Sequence, residues 1–149
     1  GVFRLAYSYL KSAAEADDVT QNALLKLYLT DKRFESEAHV KNWLYRVAAN
    51  ECKRALLSPW RRAEDIADYA EALAFTTPER SELFYAVMEL PAKYRTVIHL
   101  HYYEDYATQE IAEILGIPAA TVRTRLRRGR ELLKKKLMEA EGYAGQENV

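Results

Sequence analysis

The sequence predicts an all-α chain: two small helical domains joined by a linker, the second containing a helix-turn-helix. Three observations carry this. Apolar residues recur at helical spacing along most of the 149 residues, and strand-type alternation bounded by turn dipeptides is absent. Ala, Leu, Glu, Lys and Arg are abundant and only 5 Gly are present, a composition that helices favour. The 4 Pro stand at Pro59, Pro78, Pro91 and Pro118, each where the apolar phase breaks.

The first domain is expected over 1–57. A helix over 2–10 gathers Leu5, Ala6, Tyr9 and Leu10 on one side. A helix over 14–29 turns Ala16, Val19, Ala23, Leu24, Leu27 and Tyr28 inward and Asp18, Gln21, Asn22 and Lys26 outward. A third, over 38–57, buries Val40, Trp43, Leu44, Val47 and Ala48. Its other face carries Arg46, Asn50, Lys53 and Arg54. Tyr45 lies at the edge of that basic face, where packing and function are both open to it.

Residues 58–79 read as an acidic linker, running from Pro59-Trp60-Arg61-Arg62 through Glu64, Asp65, Asp68 and Glu71 to Thr76-Thr77-Pro78. A packed amphipathic helix over 64–73 is the competing reading. The second domain is expected over 80–140. A helix over 81–90 stops at Pro91, and another over 92–103 turns Tyr94, Val97, Ile98 and Leu100 to Tyr102 mostly inward. A short helix over 108–115 packs Ile111, Ala112 and Leu115. Gly116 then suits the left-handed residue that closes helices. The last helix starts at Ile117-Pro118 and buries Val122, Leu126, Gly129 and Leu133; residues 141–149 form a frayed tail.

Charge is neutral in total, 22 basic against 22 acidic groups, but it is segregated. Residues 1–63 carry 11 basic and 7 acidic groups, 64–90 carry 1 and 7, and 119–149 carry 8 and 4. Two basic ends flank an acidic middle, which bears on partners rather than on fold. Cys52 is the only cysteine, so no internal disulfide forms and a reducing compartment, the cytoplasm, is expected. No apolar run approaches the roughly 18 residues needed to span a bilayer, so no direct membrane insertion is expected. His99 and His101, two apart on a helix, face different ways, and His39 and Cys52 stand alone, so no metal is expected. Asp17 and Asp18 lack a nucleophile, phosphate loop or triad beside them; neither enzymatic activity nor a cofactor is expected.

The sharpest functional signal is TQEIAEILGIPAATVRTRLRRGR, residues 108–130. A short helix, a Gly turn and a second helix with a basic outer face is the helix-turn-helix order. Opposite the Val122 and Leu126 stripe lie Ala120, Thr124 and Arg127, flanked by Arg123 and Arg128. Arg pairs bidentately with guanine, Thr meets a thymine methyl or a phosphate, and Ala leaves room in a major groove about 12 Å wide. Arg125, Arg130 and Lys134 are placed for phosphates, which give affinity without reading sequence.

With these residues in view, the chain resembles a bacterial RNA polymerase sigma factor of the extracytoplasmic-function group, over roughly residues 2–139. The likeness rests on four motifs in family order: Ala16-Asp17-Asp18-Val19-Thr20-Gln21; Trp43-Leu44-Tyr45-Arg46-Val47-Ala48-Ala49-Asn50; Leu90-Pro91-Ala92-Lys93-Tyr94-Arg95; and Glu110-Ile111-Ala112 through Thr121-Val122-Arg123-Thr124-Arg125-Leu126. The resemblance implies a factor that binds core RNA polymerase, directs it to promoter DNA and helps open it. It assigns the polymerase contact to Asp18, Gln21 and Asn22. It assigns handling of the minus-ten element, with melting, to Phe34, Tyr45, Asn50, Lys53 and Arg54: aromatic, amide and cationic groups suited to an unstacked strand. Trp43, in the apolar stripe, is expected in the core. The minus-thirty-five element falls to the helix-turn-helix, and an anti-sigma protein is an expected partner. The rival reading is a dimeric helix-turn-helix regulator on a palindromic duplex.

The chain departs from the family pattern in places. Members usually have a longer N-terminal stretch, so this chain is expected to start inside the first conserved region. Asn22 replaces a common Glu, and Gly129 stands where Ala is usual. Ala107 stands where Ser often caps the motif's first helix, a role Thr108 is expected to take.

Overall fold

Helix α1 (Val2–Leu10) is short but apolar nearly all round, and Leu5 to Leu10 are all buried, so it sits inside the molecule. The computed structural model describes residues 1–58 and 78–147. Lys11 closes α1 in a left-handed conformation (φ 52°), its N–H donating to the Tyr7 carbonyl. Helix α2 (Ala13–Leu29) starts at Ser12, whose hydroxyl accepts from the Glu15 N–H at 3.2 Å. Helix α3 (Glu37–Leu56) starts the same way, with Ser36 accepting from the His39 N–H at 3.1 Å. The three helices pack on one another as the first unit.

The second unit comprises α4 (Pro78–Met88), α5 (Ala92–Ile98), a π-helical turn (His99–Tyr103), α6 (Thr108–Leu115) and α7 (Ala119–Glu147). Helices α5 and α6 both pack on α7. All described secondary structure is helical, in two small domains, the second containing the helix-turn-helix. The acidic segment expected over 58–79 lies, apart from its ends, outside the described residues. Its last positions belong to α4, which begins at Pro78 rather than 81; proline suits the first helical turn because its missing N–H has no partner there. The tail expected to fray continues α7 as far as Glu147. The helix expected over 92–103 changes character after Ile98, and Tyr102, expected mostly inward, is exposed because the wider turn rotates it off the packed face. The Glu104 N–H donates to the His99 carbonyl at 3.2 Å, five residues back, which widens the last turn.

One hydrophobic core runs through both units. Leu5, Leu10, Ala48 and Cys52 of the first belong to the same buried cluster as Val97, Leu100, Ile111, Leu115 and Val122 of the second. The junction is also polar. Arg95, 5% exposed, sends its guanidinium to the carbonyls of Ser8 and Tyr9 at the end of α1, of Met88, the last residue of α4, and of Leu90 just beyond it. Helix ends leave carbonyls without intrahelical donors, and Arg95 supplies donors to two such ends at once.

Several burial expectations need correction. On α2, Leu24 and Tyr28 are exposed and only Ala16, Val19 and Ala23 are buried. Helix α1 has 9 residues against 17 in α2, so it cannot cover the far half of its neighbour. On α3 the buried stripe is Tyr45, Ala48, Ala49 and Cys52, at i, i+3, i+4 and i+7. Val40, Trp43, Leu44 and Val47 are only half-buried. The second unit packs on the Tyr45 side, which shifts the inward face of α3. Among the described residues no helix is long and apolar enough to cross a membrane.

Candidate nucleic-acid interfaces

The helix-turn-helix is built from local signals. Ala107 stands at the N-cap of α6 and has no side-chain acceptor. Glu110 compensates by accepting from the Ala107 N–H at 3.1 Å, so the cap does not pass to Thr108 as expected. Gly116 turns the chain at φ 67°, where a Cβ is disfavoured, and the Ile117 N–H closes on the Ala112 carbonyl at 3.1 Å. Ile111 and Leu115 bury against Val122 and Leu126, fixing which side of α7 faces outward.

That outward side carries the predicted reading set. Ala120, Arg123, Arg127 and Arg128 are exposed; Thr124 is half-buried, its hydroxyl donating to the Ala120 carbonyl at 3.0 Å. A groove of about 360 Å³ beside it is lined by Lys93, Tyr94, Ala120, Thr121, Thr124, Arg125 and Arg128. The phosphate candidates separate. Arg125 is half-buried in this groove, Arg130 donates to the Tyr102 hydroxyl at 3.0 Å, and Lys134 is exposed further along α7.

The candidates on and before α3 divide between two faces. Phe34 packs edge-on against His39 and Trp43, with ring centroids 5.2 and 5.5 Å away. Trp43, Val47, Asn50 and Arg54 fall at i, i+4, i+7 and i+11 on one helix face. Asn50 and Arg54 are exposed there, and Arg54 pairs with Glu51 at 3.3 Å. Trp43, expected in the core, is therefore a half-buried aromatic beside the exposed amide and guanidinium. Its i, i+7 relation to Asn50 was the available sequence signal.

Tyr45 and Lys53 point the other way. Tyr45 is 1% exposed, not at the edge of an open basic face; its hydroxyl donates to Glu104 Oε2 at 3.0 Å, and its ring lies 5.7 Å from that of Tyr106. Lys53 donates to the Leu115 carbonyl at the end of α6. Burial lowers the Lys53 ammonium below the usual lysine range, and nearby Arg125 and Arg46 lower it further. Burial also raises the Tyr45 phenol, reinforced by the Glu104 carboxylate. Burial alone would raise Glu104; contacts from His99 and Tyr45 outweigh it and hold its carboxyl at about 2. His99 Nε2 lies 3.4 Å and Lys41 Nζ 3.8 Å from that carboxylate. His101 instead meets the Tyr106 carbonyl at 2.9 Å, so the two histidines have different partners.

On α2, Asp18, Gln21 and Asn22 are all exposed. The Asn22 amide reaches Glu51 Oε2 at 3.5 Å, and Lys26 pairs with Glu51 Oε1 at 2.6 Å, tying this face to α3. Leu25 and Leu29, 55% and 68% exposed, continue the same stripe. Sequence reasoning passed over both because leucine reads as core.

Two family descriptions match the chain: Sigma-70 region 2 over residues 1–62 and Sigma-70, region 4 over residues 80–133. It is 32% identical to the ECF RNA polymerase sigma factor SigW of Bacillus subtilis over 156 residues, covering 93% of this chain and 83% of that protein. The chain belongs to the ECF sigma factors. This sigma factor is also 33% identical to the ECF RNA polymerase sigma-E factor of Haemophilus influenzae, covering 85% and 76%. Its fold is that of the sigma factor RpoE of Bartonella quintana, solved in complex with the anti-sigma factor NepR: TM-score 0.67 at 20% identity, covering 92% of this chain and 89% of that one. The protein is a promoter-directing transcription initiation factor, not an enzyme, and the dimeric-regulator reading is set aside.

Proposed function

We propose that promoter recognition is divided between the two exposed faces. Helix α7 reads the minus-thirty-five element as duplex, through Ala120, Arg123, Thr124, Arg127 and Arg128 in the major groove, while Arg125, Arg130 and Lys134 meet phosphates. The α3 surface handles the minus-ten strand. Phe34, with Trp43 beside it, offers an aromatic surface, Asn50 and Arg54 meet base and backbone, and Tyr45 and Lys53 join once the second unit moves away. Asp18, Gln21 and Asn22 on α2 face core polymerase, where a polar and acidic patch suits a basic partner. On this reading residues 1–57 grip polymerase and melt DNA, 58–79 link, and 80–140 anchor upstream. The factor works in the cytoplasm, held by an anti-sigma protein, as the solved RpoE complex supports by analogy.

One observation carries the reading: a row of exposed Arg and Ala opposite the buried Val122 and Leu126, on a helix oriented by the Gly116 turn. Run-off transcription with purified core polymerase on a genomic fragment library tests it. Specific initiation that requires both proteins is expected. Absence of promoter-dependent transcripts from every fragment refutes the reading.

A further inference from the structure

We propose that Tyr102 and Arg130 together seat one backbone phosphate of duplex DNA, so that Tyr102 both positions Arg130 and completes its contact. The inference rests on the proposed duplex-reading role of α7 and deepens it. Arg130 Nη1 donates to the Tyr102 hydroxyl at 3.0 Å, and both side chains are exposed. Among the described residues no carboxylate pairs with Arg130. A neutral acceptor therefore orients the guanidinium without cancelling its charge. Arg54, by contrast, pairs with Glu51 and Lys136 with Glu89, and a neutralised cation must be released before a phosphate can use it. The Tyr102 hydroxyl accepts from Arg130 and keeps its own proton to donate. A phosphate in front of the pair thus meets an O–H and the free N–H groups of the guanidinium at once.

The position along α7 suits a phosphate rather than a base. Arg123, Arg127, Arg130 and Lys134 fall at i, i+4, i+7 and i+11, one stripe of the helix, and all four are exposed. Arg130 comes ten residues after Ala120, about 15 Å along the axis at 1.5 Å per residue. A major groove is about 12 Å wide and about 8.5 Å deep. With Ala120 against base edges, Arg130 has therefore run out of the groove and stands level with the sugar-phosphate strand that walls it.

The π-helical turn is what brings the hydroxyl there. Tyr102 stands four residues after the buried Ile98, and in a continued α-helix the two would share the packed face. Because the Glu104 N–H reaches back five residues to the His99 carbonyl, the turn widens and swings Tyr102 out to 51% exposure, beside Arg130. The ring is then braced. His101 lies edge-on to it at 4.8 Å, and His101 itself meets the Tyr106 carbonyl at 2.9 Å. An arginine held in advance loses less side-chain entropy on binding than an unrestrained one.

The test measures binding of the full chain to a fluorescein-labelled mixed-sequence duplex of about 20 base pairs as salt is varied. Arg130→Ala removes a charge, so it should weaken binding about tenfold and lower the salt slope by about 0.9. Tyr102→Phe removes one oxygen and no charge, so it should weaken binding about fivefold with the slope unchanged. In the Arg130→Ala background the same Tyr102→Phe change should cost less than about twofold, because the two groups act on one phosphate. A merely structural hydroxyl would lower the melting temperature and leave duplex affinity alone. Undiminished affinity of Tyr102→Phe, beside a weakened Arg130→Ala, would overturn the inference and leave the reading of α7 standing. Equal losses from Tyr102→Phe in both backgrounds would also overturn it. If Arg130→Ala changes neither affinity nor slope, the phosphate role proposed for Arg130 fails and the inference falls with it.

Discussion

Replacing Arg95 with Met should cost this protein about 3–4 kcal/mol of stability, on the following count. Four carbonyls receive its guanidinium: Leu90 and Tyr9 at 2.8 Å, Met88 at 3.3 Å, and Ser8. A hydrogen bond from a charged group contributes about 1.5–3 kcal/mol net, so four would naively sum to about 6–12 kcal/mol. Removing the cation also removes the cost of burying it, several kcal/mol by itself, which brings the net loss down. What remains is mainly the penalty for four stranded carbonyls at the ends of α1 and α4; at about 1 kcal/mol each, the low end of the range, they give about 4 kcal/mol. Met fills most of the aliphatic volume, so little cavity term is added. With a slope of about 2 kcal/mol per molar urea, the unfolding midpoint followed by circular dichroism should fall by nearly 2 M. A shift below about 0.5 M would mean that these carbonyls find other donors and that Arg95 does not bolt the units together.

Four further outcomes are expected. The Glu104 carboxyl sits at about 2 against its ordinary 4.5, so its stabilising contribution, about 3 kcal/mol, is full above pH 5 and lost as pH falls toward 2. His99, Tyr45 and Lys41 face it; urea midpoints between pH 5 and 2 should fall more steeply for wild type than for Glu104→Gln, and equal slopes would count against the assignment. Gly129→Ala should destabilise by about 1 kcal/mol, since overpacking outweighs the gain in helix propensity. A Cβ there would meet Ile98 Cδ1 at 3.1 Å and Cγ1 at 3.2 Å, and a raised melting temperature would refute the crowding. Arg127→Ala should cost about 1–3 kcal/mol at one upstream base pair in a binding-site selection, while a uniform loss over all sequences would mark a phosphate contact. Asn50→Ala should impair strand opening with core affinity unchanged, and normal permanganate reactivity of the opened strand would remove Asn50 from that role.

Much of the fold was legible because the relevant signals are local. Gly116 and the Ile111, Leu115, Val122 and Leu126 spacing define the helix-turn-helix within 20 residues of chain, and Ala120, Arg123, Arg127 and Arg128 are exposed where the periodicity put them, with Thr124 half-buried. Helix α1 begins and ends as read. The α3 surface was harder. Its helix has apolar residues on two adjoining faces, Val40-Trp43-Leu44-Val47 and Tyr45-Ala48-Ala49-Cys52, and periodicity cannot say which is covered. The exposed leucines of α2 escaped for the same reason, since coverage depends on the length of a neighbour.

Sequence alone determined most helix positions and the turn between α6 and α7, because capping, glycine conformation and apolar spacing act over a few residues; the family was legible only through the resemblance of four motifs in order. Only tertiary structure decided that Tyr45 and Lys53 face the second unit, that Trp43 is left half-buried, and that Arg95 joins two helix ends. These follow from pairing surfaces far apart in the chain, 59 residues between Tyr45 and Glu104, whose match depends on shape and on carbonyls left open at helix ends.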